Sequence, residues 1–523
     1  MPEYLRPGVF IEEIERGPRP IEGVPTSTAA FLGAAERGSI QPRLVTSYKE
    51  YQRNFGGVFD PNAFLPYAVS GFFENGGKRL YVCRLVGQTA TAASADAGDF
   101  IVNAAGPGGW GTRVWVKVGP STTTDRSGNS IGFRVRAAYF AANDTPHDPF
   151  PDPRALPLPQ ITEDFDDLVT DERSPDFYGK RLNFIDDAKG PQNQGPDASA
   201  LITLVRKKTA SANSAPNAIN QKLANGVEDS TLGQNDYLGL PAGARTDPQG
   251  LTSLELDPYR DVALVYAPGI ADQPTLTSII DHCELMRFRF AVIDCPKGQA
   301  DPGQVDPRVT LDTDTQYAAF YYPWISISDP STGARKLVPP GGHVLGVYAR
   351  TDAEVGVFKA PANEILRGAL DLEYVITDGD QEVLNPRGAN AIRSFPGRGI
   401  LVWGARTLTS NSLWKYVSVR RLFIFLERSI YEGTQWVVFE PNDPRLWARV
   451  IDSIRLFLRT QWRAGALFGT REQDAFFITC DQTTMTQDDI LNGRLICEIG
   501  IAPVRPAEFV IFRIFQNTAE AQQ

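Results

Sequence analysis

Short, uninterrupted apolar runs separated by helix-patterned segments constrain this chain more than any other feature. Ala29-Ala30-Phe31-Leu32-Gly33 and the run at 79–85 come early; runs at 261–268 and 290–294, and one strand through 318–322 and 324–327, come only after residue 250. A run that is apolar at every position has no solvent face, so it belongs in a sheet covered on both sides. The helical patterns at 66–74 and 275–287 supply the crossovers of a mainly parallel sheet. Residues near 95–250 differ in texture. Strand-like pieces at 112–118 and 131–139 stand among Gly, Ser and Thr clusters, followed by a proline-rich run at 146–159 and a polar tract at 211–250. This predicts a β-rich insertion with long, solvent-facing loops, interrupting one α/β domain.

The chain ends and the last third follow other rules. Val9 and Ile11 alternate with Phe10 and Glu12, and Pro18, Pro20 and Pro25 keep the next stretch extended. Alternation returns at 508–515, through Phe509, Val510, Ile511, Phe512, Arg513 and Ile514. Such strands either pair locally or add to the sheet of a neighbouring subunit. From about 381 the periodicity becomes helical and is strongest after Asp443-Pro444, an N-cap followed by proline at the first helical position. Leu446, Trp447, Val450, Ile451, Ile454, Phe457 and Leu458 mark one face, with Gly465 as the stop. Arg445, Arg449, Arg455, Arg459 and Arg463 mark the other, which is either a solvated face or an electrostatic docking surface. The expected fold is α+β or α/β and multidomain. It comprises an extended arm (1–25), a split α/β domain (26–95 and 251–380), a β-rich outer insertion (96–250) and a C-terminal domain with a terminal strand arm (381–523).

Composition narrows the function. Lys and Arg total 52 against 62 Asp and Glu, a net charge of −10, which disfavours binding nucleic acid through a basic surface. No stretch approaches the ~20 apolar residues of a membrane span, and Leu422-Phe423-Ile424-Phe425-Leu426, bracketed by charges, reads as a core segment. The opening residues lack the pattern of a secretory signal. Five cysteines without a C-x-x-C suit a reducing compartment rather than a disulfide scaffold.

Gly106-Pro107-Gly108-Gly109-Trp110-Gly111 matches a dinucleotide fingerprint in letters only, because a β-rich segment follows where a helix is required. Gly76-Gly77-Lys78-Arg79 lacks the first glycine and the Ser/Thr of a phosphate loop. Asp281-His282-Cys283 with Asp294 and Cys295 is either a nucleophile constellation or, as the favoured reading, a helix end with a buried cysteine in the next strand. The carboxylates Glu163, Asp164, Asp166 and Asp167 read as a solvated run. No catalytic, cofactor or metal residue is therefore assigned.

Several segments together resemble one family, the tail sheath proteins of contractile phage tails and phage-tail-like injection particles. The opening Tyr4-Leu5-Arg6-Pro7-Gly8-Val9-Phe10-Ile11-Glu12-Glu13 is similar to that family's start, with Phe10 in place of a tyrosine. Pro25-Thr26-Ser27-Thr28-Ala29-Ala30-Phe31-Leu32-Gly33 and Pro339-Pro340-Gly341-Gly342-His343-Val344-Leu345-Gly346-Val347-Tyr348-Ala349-Arg350-Thr351-Asp352 are similar to it as well. So are Lys359-Ala360-Pro361-Ala362-Asn363-Glu364, Asn385-Pro386-Arg387-Gly388, the run at 399–407, Val419-Arg420-Arg421-Leu422 and the run at 503–512. The resemblance covers 1–95 and about 250–523.

It implies a structural subunit that forms six-fold rings stacked helically around an inner tube, and contracts to drive the tube through a target membrane. It further implies arms that pair with neighbouring subunits, an interior-lining C-terminal domain and an exterior insertion. Arg445, Arg449, Arg459 and Arg463 would then face the tube. The implied partners are other copies of the chain, the tube, baseplate and tail terminator or cap proteins, without nucleic acid or direct membrane insertion. Assembly is expected in the bacterial cytoplasm, as part of a phage tail or a related particle. The rival readings are an α/β hydrolytic enzyme and a non-contractile tail or baseplate component.

Overall fold

The computed structural model describes residues 20–187, 190–193, 198–211, 213–229, 231–239 and 249–513. The described residues divide into a larger unit, within 25–420, and a smaller unit that joins residues 20–24 with 421–513.

The larger unit is organised by a nine-stranded sheet. In chain order its strands are β1 (Ala29–Gly33), β2 (Arg43–Val45), β3 (Leu80–Arg84), β4 (Leu264–Tyr266), β5 (Phe290–Asp294), β6 (Ala318–Tyr322), β7 (Glu364–Ile365), β8 (Ala389–Phe395) and β9 (Gly399–Val402). Their spatial order is β7-β9-β8-β6-β5-β4-β1-β3-β2. Strands β8 through β3 run parallel, while β2, β9 and β7 pair antiparallel at the edges. Every residue of β1, β4, β5 and β6 is buried, as a sheet covered on both faces requires.

Helices α1 (Leu65–Glu74), α2 (Gln273–Met286) and α3 (Gly341–Glu354) belong to this unit. Helix α3 is buried without interruption from Gly341 to Thr351, which accounts for its glycine-rich motif. A Cβ on Gly342 would lie 2.6 Å from the Cα and carbonyl oxygen of Ala68, and one on Gly346 would lie 2.5 Å from the Phe72 carbonyl oxygen. The glycines let α3 approach α1 backbone to backbone. Arg350 then donates to the Asn75 carbonyl (3.1 Å) and the Ile365 carbonyl (2.7 Å), closing the end of the pair.

Between β3 and β4 lie two further sheets. One has five strands, including Phe100–Ala104 and Ile202–Arg206; the other has four, including Val114–Pro120 and Phe133–Tyr139. Buried and half-buried residues alternate along Phe100–Ala104 and Val114–Pro120, and the inward residues share one apolar core with Trp110, Tyr178 and Leu204. This region is fastened to the nine-stranded sheet by charge. Arg84, fully buried at the end of β3, donates to the carbonyls of Ala35 (3.1 Å), Gly38 (3.1 Å) and Pro107 (2.8 Å). Burial pulls its guanidinium down to about 10. Beside it the Tyr139 hydroxyl donates to Glu36 at 2.5 Å, with Arg37 and Arg113 over the Tyr139 ring.

Two expectations change. The boundary expected at 381 lies at 420/421, because Ala389, Asn390 and Ala391 are buried and β8 pairs in parallel with β6. The apolar run at 318–327 is two strands in different sheets. After Pro323, Ile325–Ser328 pairs with Arg335–Val338 and Ala369–Leu372 instead.

The chain enters the smaller unit within helix α4 (Val417–Gly433). Leu422 and Leu426 are buried on it. Residues 20–24 belong to the same unit: Ile21 is buried, Val24 N donates to Ser429 Oγ (3.1 Å), and a Cβ on Gly433 would meet Ile21 at 2.8 Å. Helix α5 (Pro444–Arg463) starts at Asp443, whose carboxylate accepts from the amides of Arg445 (3.0 Å) and Leu446 (2.8 Å). Leu446, Trp447, Val450, Ile454, Phe457 and Leu458 are buried, and Phe457 packs on Phe425 with ring centroids 5.9 Å apart. Strands β10 (Phe476–Thr479) and β11 (Glu498–Ile501) form a two-stranded antiparallel sheet.

The close approach of α1 and α3 leaves no room for a methyl group. Gly342→Ala should destabilise the larger unit by about 1–3 kcal/mol, read as a lower denaturation midpoint in urea, whereas Gly397→Ser, with nothing near its Cβ position, tests turn strain alone.

Candidate functional site

The residues closest to catalytic chemistry are used to build the larger unit. His282, on the buried side of α2, lies 2.6 Å through Nε2 from the Arg289 guanidinium, which also donates to the carbonyls of Leu254 (2.6 Å) and Tyr259 (3.1 Å). Burial, assisted by the Arg289 charge, drives the imidazole down to about 3, so it stays neutral and accepts that bond. The neighbouring Cys283 is fully enclosed, and burial pushes its thiol up to about 12. A thiol this protonated and wholly closed off from solvent is not available as a nucleophile.

Asp294 ends β5 and joins three elements. Its Oδ2 accepts from the Tyr266 hydroxyl (2.6 Å) and the Gly269 amide (3.3 Å), and its Oδ1 from the Gly341 amide at the start of α3 (2.9 Å). Burial raises the carboxyl to about 7 against the pull of these donors. With both oxygens engaged, Asp294 is a structural node rather than a free base. The GPGGWG segment is a turn that runs into a short 3-10 helix, Gly109–Arg113: Gly108 has φ 124°, and the Pro107 carbonyl accepts from the Trp110 indole (3.0 Å) as well as from Arg84.

The arginine stripe on α5 is partly neutralised within its own unit. Arg449 pairs with Glu440 (2.8 Å) and lies over the Trp436 ring. Arg459 binds Glu472 through two nitrogens (2.6 and 3.1 Å), with Arg455 3.8 Å from the same carboxylate. The hydrogen bond from Arg459 holds the Glu472 carboxyl below its usual range, and the charges of Arg459, Arg455 and Arg463 add to that. Arg445 and Arg463 are exposed and make no ion pair among the described residues. Glu440 and Glu472 could not be read from helical spacing, because both lie outside the helix they neutralise.

At the C-terminal end, Phe509, Val510, Ile511 and Phe512 are 71%, 67%, 77% and 84% exposed, and Arg513 is exposed too; none of them is in a strand. Four consecutive large apolar side chains in water form a surface awaiting a cover. Val9, Phe10, Ile11, Glu12 and Ile514 lie outside the described residues.

The model of the phage tail sheath protein central domain matches residues 243–408, and that of the phage tail sheath C-terminal domain matches 409–517. The two are contiguous and together cover more than half of the chain. The chain belongs to the phage tail sheath family. It is 25% identical over 279 residues to a putative prophage major tail sheath protein of Pseudomonas aeruginosa, covering 52% of this chain and 69% of that one. It is 26% identical over 282 residues to the tail sheath protein of Burkholderia phage BcepMu, covering 51% of this chain and 58% of that protein. The fold is similar to the PVC sheath complex of an extracellular contractile injection system in its contracted state, with a TM-score of 0.58 and 23% identity over 99% of this chain and 100% of the other.

In this sheath protein the Pro339–Asp352 motif is thus the buried helix α3 with the turn before it, and Gly341 delivers its amide to Asp294. In the folded chain that carboxyl stays protonated up to about 7, whereas in the unfolded chain it ionises near pH 4 (about 3.9). Between those values the unfolded chain binds fewer protons, so this group's contribution to stability falls as pH rises from about 4 to about 7 and is level above. Asp294→Asn should abolish that slope. The wild-type-minus-variant difference in unfolding free energy should therefore decline across the window; a flat difference would contradict it. Asp294→Ala, which strands three donors, should cost about 1–3 kcal/mol or more at every pH.

Proposed function

We propose that this protein is the structural subunit of a contractile sheath, polymerising around an inner tube and contracting to drive that tube through a target membrane. The contiguous match of both sheath domain models over 243–517 carries this reading. The buried, structurally occupied state of His282, Cys283 and Asp294 supports a subunit that works through its surfaces rather than by catalysis. Such a subunit stores its driving energy in contacts made at assembly and releases it in a two-state rearrangement. Its head-to-tail contacts build a helical lattice because they do not close on themselves.

In this proposal the 1–20 segment and the 509–514 segment, through Val9, Phe10, Ile11, Glu12 and Phe509 to Ile514, pair with neighbouring copies. The exposure of the four consecutive apolar side chains Phe509 to Phe512 is what supports it. Helix α5 faces the tube, chiefly through Arg445 and Arg463, since Arg449 and Arg459 already have acidic partners. Residues 96–250 stand as an insertion on the outside, and baseplate and terminator proteins cap the ends. Assembly takes place in the bacterial cytoplasm.

Two outcomes follow. Replacing Phe509, Ile511 and Phe512 by Ser should leave the unfolding midpoint unchanged and abolish sheath formation, as seen by electron microscopy; sheaths of normal length would refute the pairing role. Arg445→Glu with Arg463→Glu should leave the chain within about 0.5 kcal/mol of wild-type stability, as for surface substitutions generally. The same pair should reduce co-assembly with tube, more strongly at low than at high salt. Equal yields of tube-filled particles would remove the helix from the interface.

A further inference from the structure

The β10–β11 ladder pairs Phe476 with Ile501, Phe477 with Gly500, Ile478 with Ile499 and Thr479 with Glu498. One step further sets Cys480 opposite Cys497. The Ala502 amide donates to the Ala475 carbonyl at 2.9 Å, which makes 475/502 a hydrogen-bonded position. Alternation along an antiparallel ladder then makes 480/497 a non-hydrogen-bonded position, where facing side chains come closest and Cα atoms stand about 4.5 Å apart. That separation lies inside the roughly 4.4–6.8 Å that a disulfide spans. Both cysteines are reduced in this structure; Cys480 is buried and Cys497 half-buried. The two thiols are coupled: burial raises both, Cys497 to about 12, and a hydrogen bond between them lowers Cys480 while raising Cys497 further.

We propose that Cys480 and Cys497 form a cross-strand disulfide when the chain meets an oxidised small-molecule disulfide. The more accessible Cys497, as thiolate, attacks one sulfur of the reagent and expels a small thiolate, which takes up a proton. Cys480 then loses its proton and attacks Cys497 Sγ, expelling the second small thiol. Two protein thiols are oxidised, and one small disulfide is reduced by two electrons to two thiols. The high thiol proton affinities make the reaction slow at neutral pH and faster in base.

The bond would pin a ladder that needs pinning. A two-stranded ladder has few backbone hydrogen bonds of its own, and the 481–496 connection between its strands holds a short helix, Gln487–Leu491, and no strand. Closing that loop covalently restricts the unfolded hairpin. The thiols stay reduced in a reducing compartment and pair in an oxidising one.

The test uses the full-length protein, reduced and then incubated with oxidised glutathione, with free thiols alkylated and the digest mapped by mass spectrometry without reductant. A Cys480–Cys497 linked peptide is expected, lost on adding dithiothreitol and forming at least tenfold faster at pH 9 than at pH 7. Cys83, Cys283 and Cys295, all buried, should stay free in the folded chain. Cys480→Ser should instead leave a persistent glutathione adduct on Cys497. Amide exchange in 476–479 and 498–501 should slow about tenfold on oxidation. Full alkylation of both cysteines after oxidation at pH 9, or a wild-type glutathione adduct that Cys480 never resolves, would overturn the proposal.

Discussion

The larger unit depends on strand β1, which pairs in parallel with β3 on one side and β4 on the other. β3 follows within the same stretch of chain; β4 arrives only after the intervening residues 85–263. Loop closure over such a length costs only the logarithm of its size, about (3/2)RT ln n. A large β-rich region can therefore sit between β3 and β4, the two strands that flank β1 in the sheet. Full burial of β1 repays the closure. Arg84 then ties the intervening region down by giving its guanidinium to carbonyls on both sides of the junction. That junction also bounds a cleft of about 1210 Å³ whose lining mixes Arg37, Lys49, Arg53 and Arg113 with Glu36, Asp60 and Glu228. Charges of both signs suit a joint between two cores.

The same economy explains why groups that look reactive are not. His282, Arg289 and Asp294 sit where helices meet the sheet, and each satisfies buried polar atoms; Cys283 beside them is packed in the apolar core. Arg289 needs acceptors, and His282, kept neutral, is one of them. Asp294 collects the hydroxyl of Tyr266 and the first amide of α3, so that α3 can begin against the sheet. Chemistry potential is consumed in construction. The smaller unit instead carries exposed arginines, a run of exposed apolar side chains and a facing pair of thiols.

Electrostatics on α5 shows how a lattice protein can keep a charged face without a strongly charged surface. Exposed ion pairs contribute about 0–1 kcal/mol each, so the pairs with Glu440 and Glu472 position arginines more than they stabilise the unit. The residual charge of Arg445 and Arg463 is small per chain. In the proposed lattice that charge would recur at every subunit, and repetition rather than strength would make such a contact effective.

The sequence by itself determined the elements whose signal is local. All-apolar runs marked the covered strands, Asp443-Pro444 marked the start of α5 to the residue, and the apolar positions at helical spacing marked its buried face, except that Ile451 is only half-buried. The motif at Pro339–Asp352 was legible as a family mark, but its reason was not. Gly342 and Gly346 matter because α1 passes within 2.6 Å of where their side chains would be. Only the tertiary structure decided that 389–402 completes the large sheet rather than opening the C-terminal domain, since strand partnership is set by a neighbour far away in sequence. It also decided which arginines are free, because Glu472 reaches α5 from beyond Gly465. It placed Cys480 opposite Cys497, because register follows from the whole ladder rather than from the spacing of two residues in the chain.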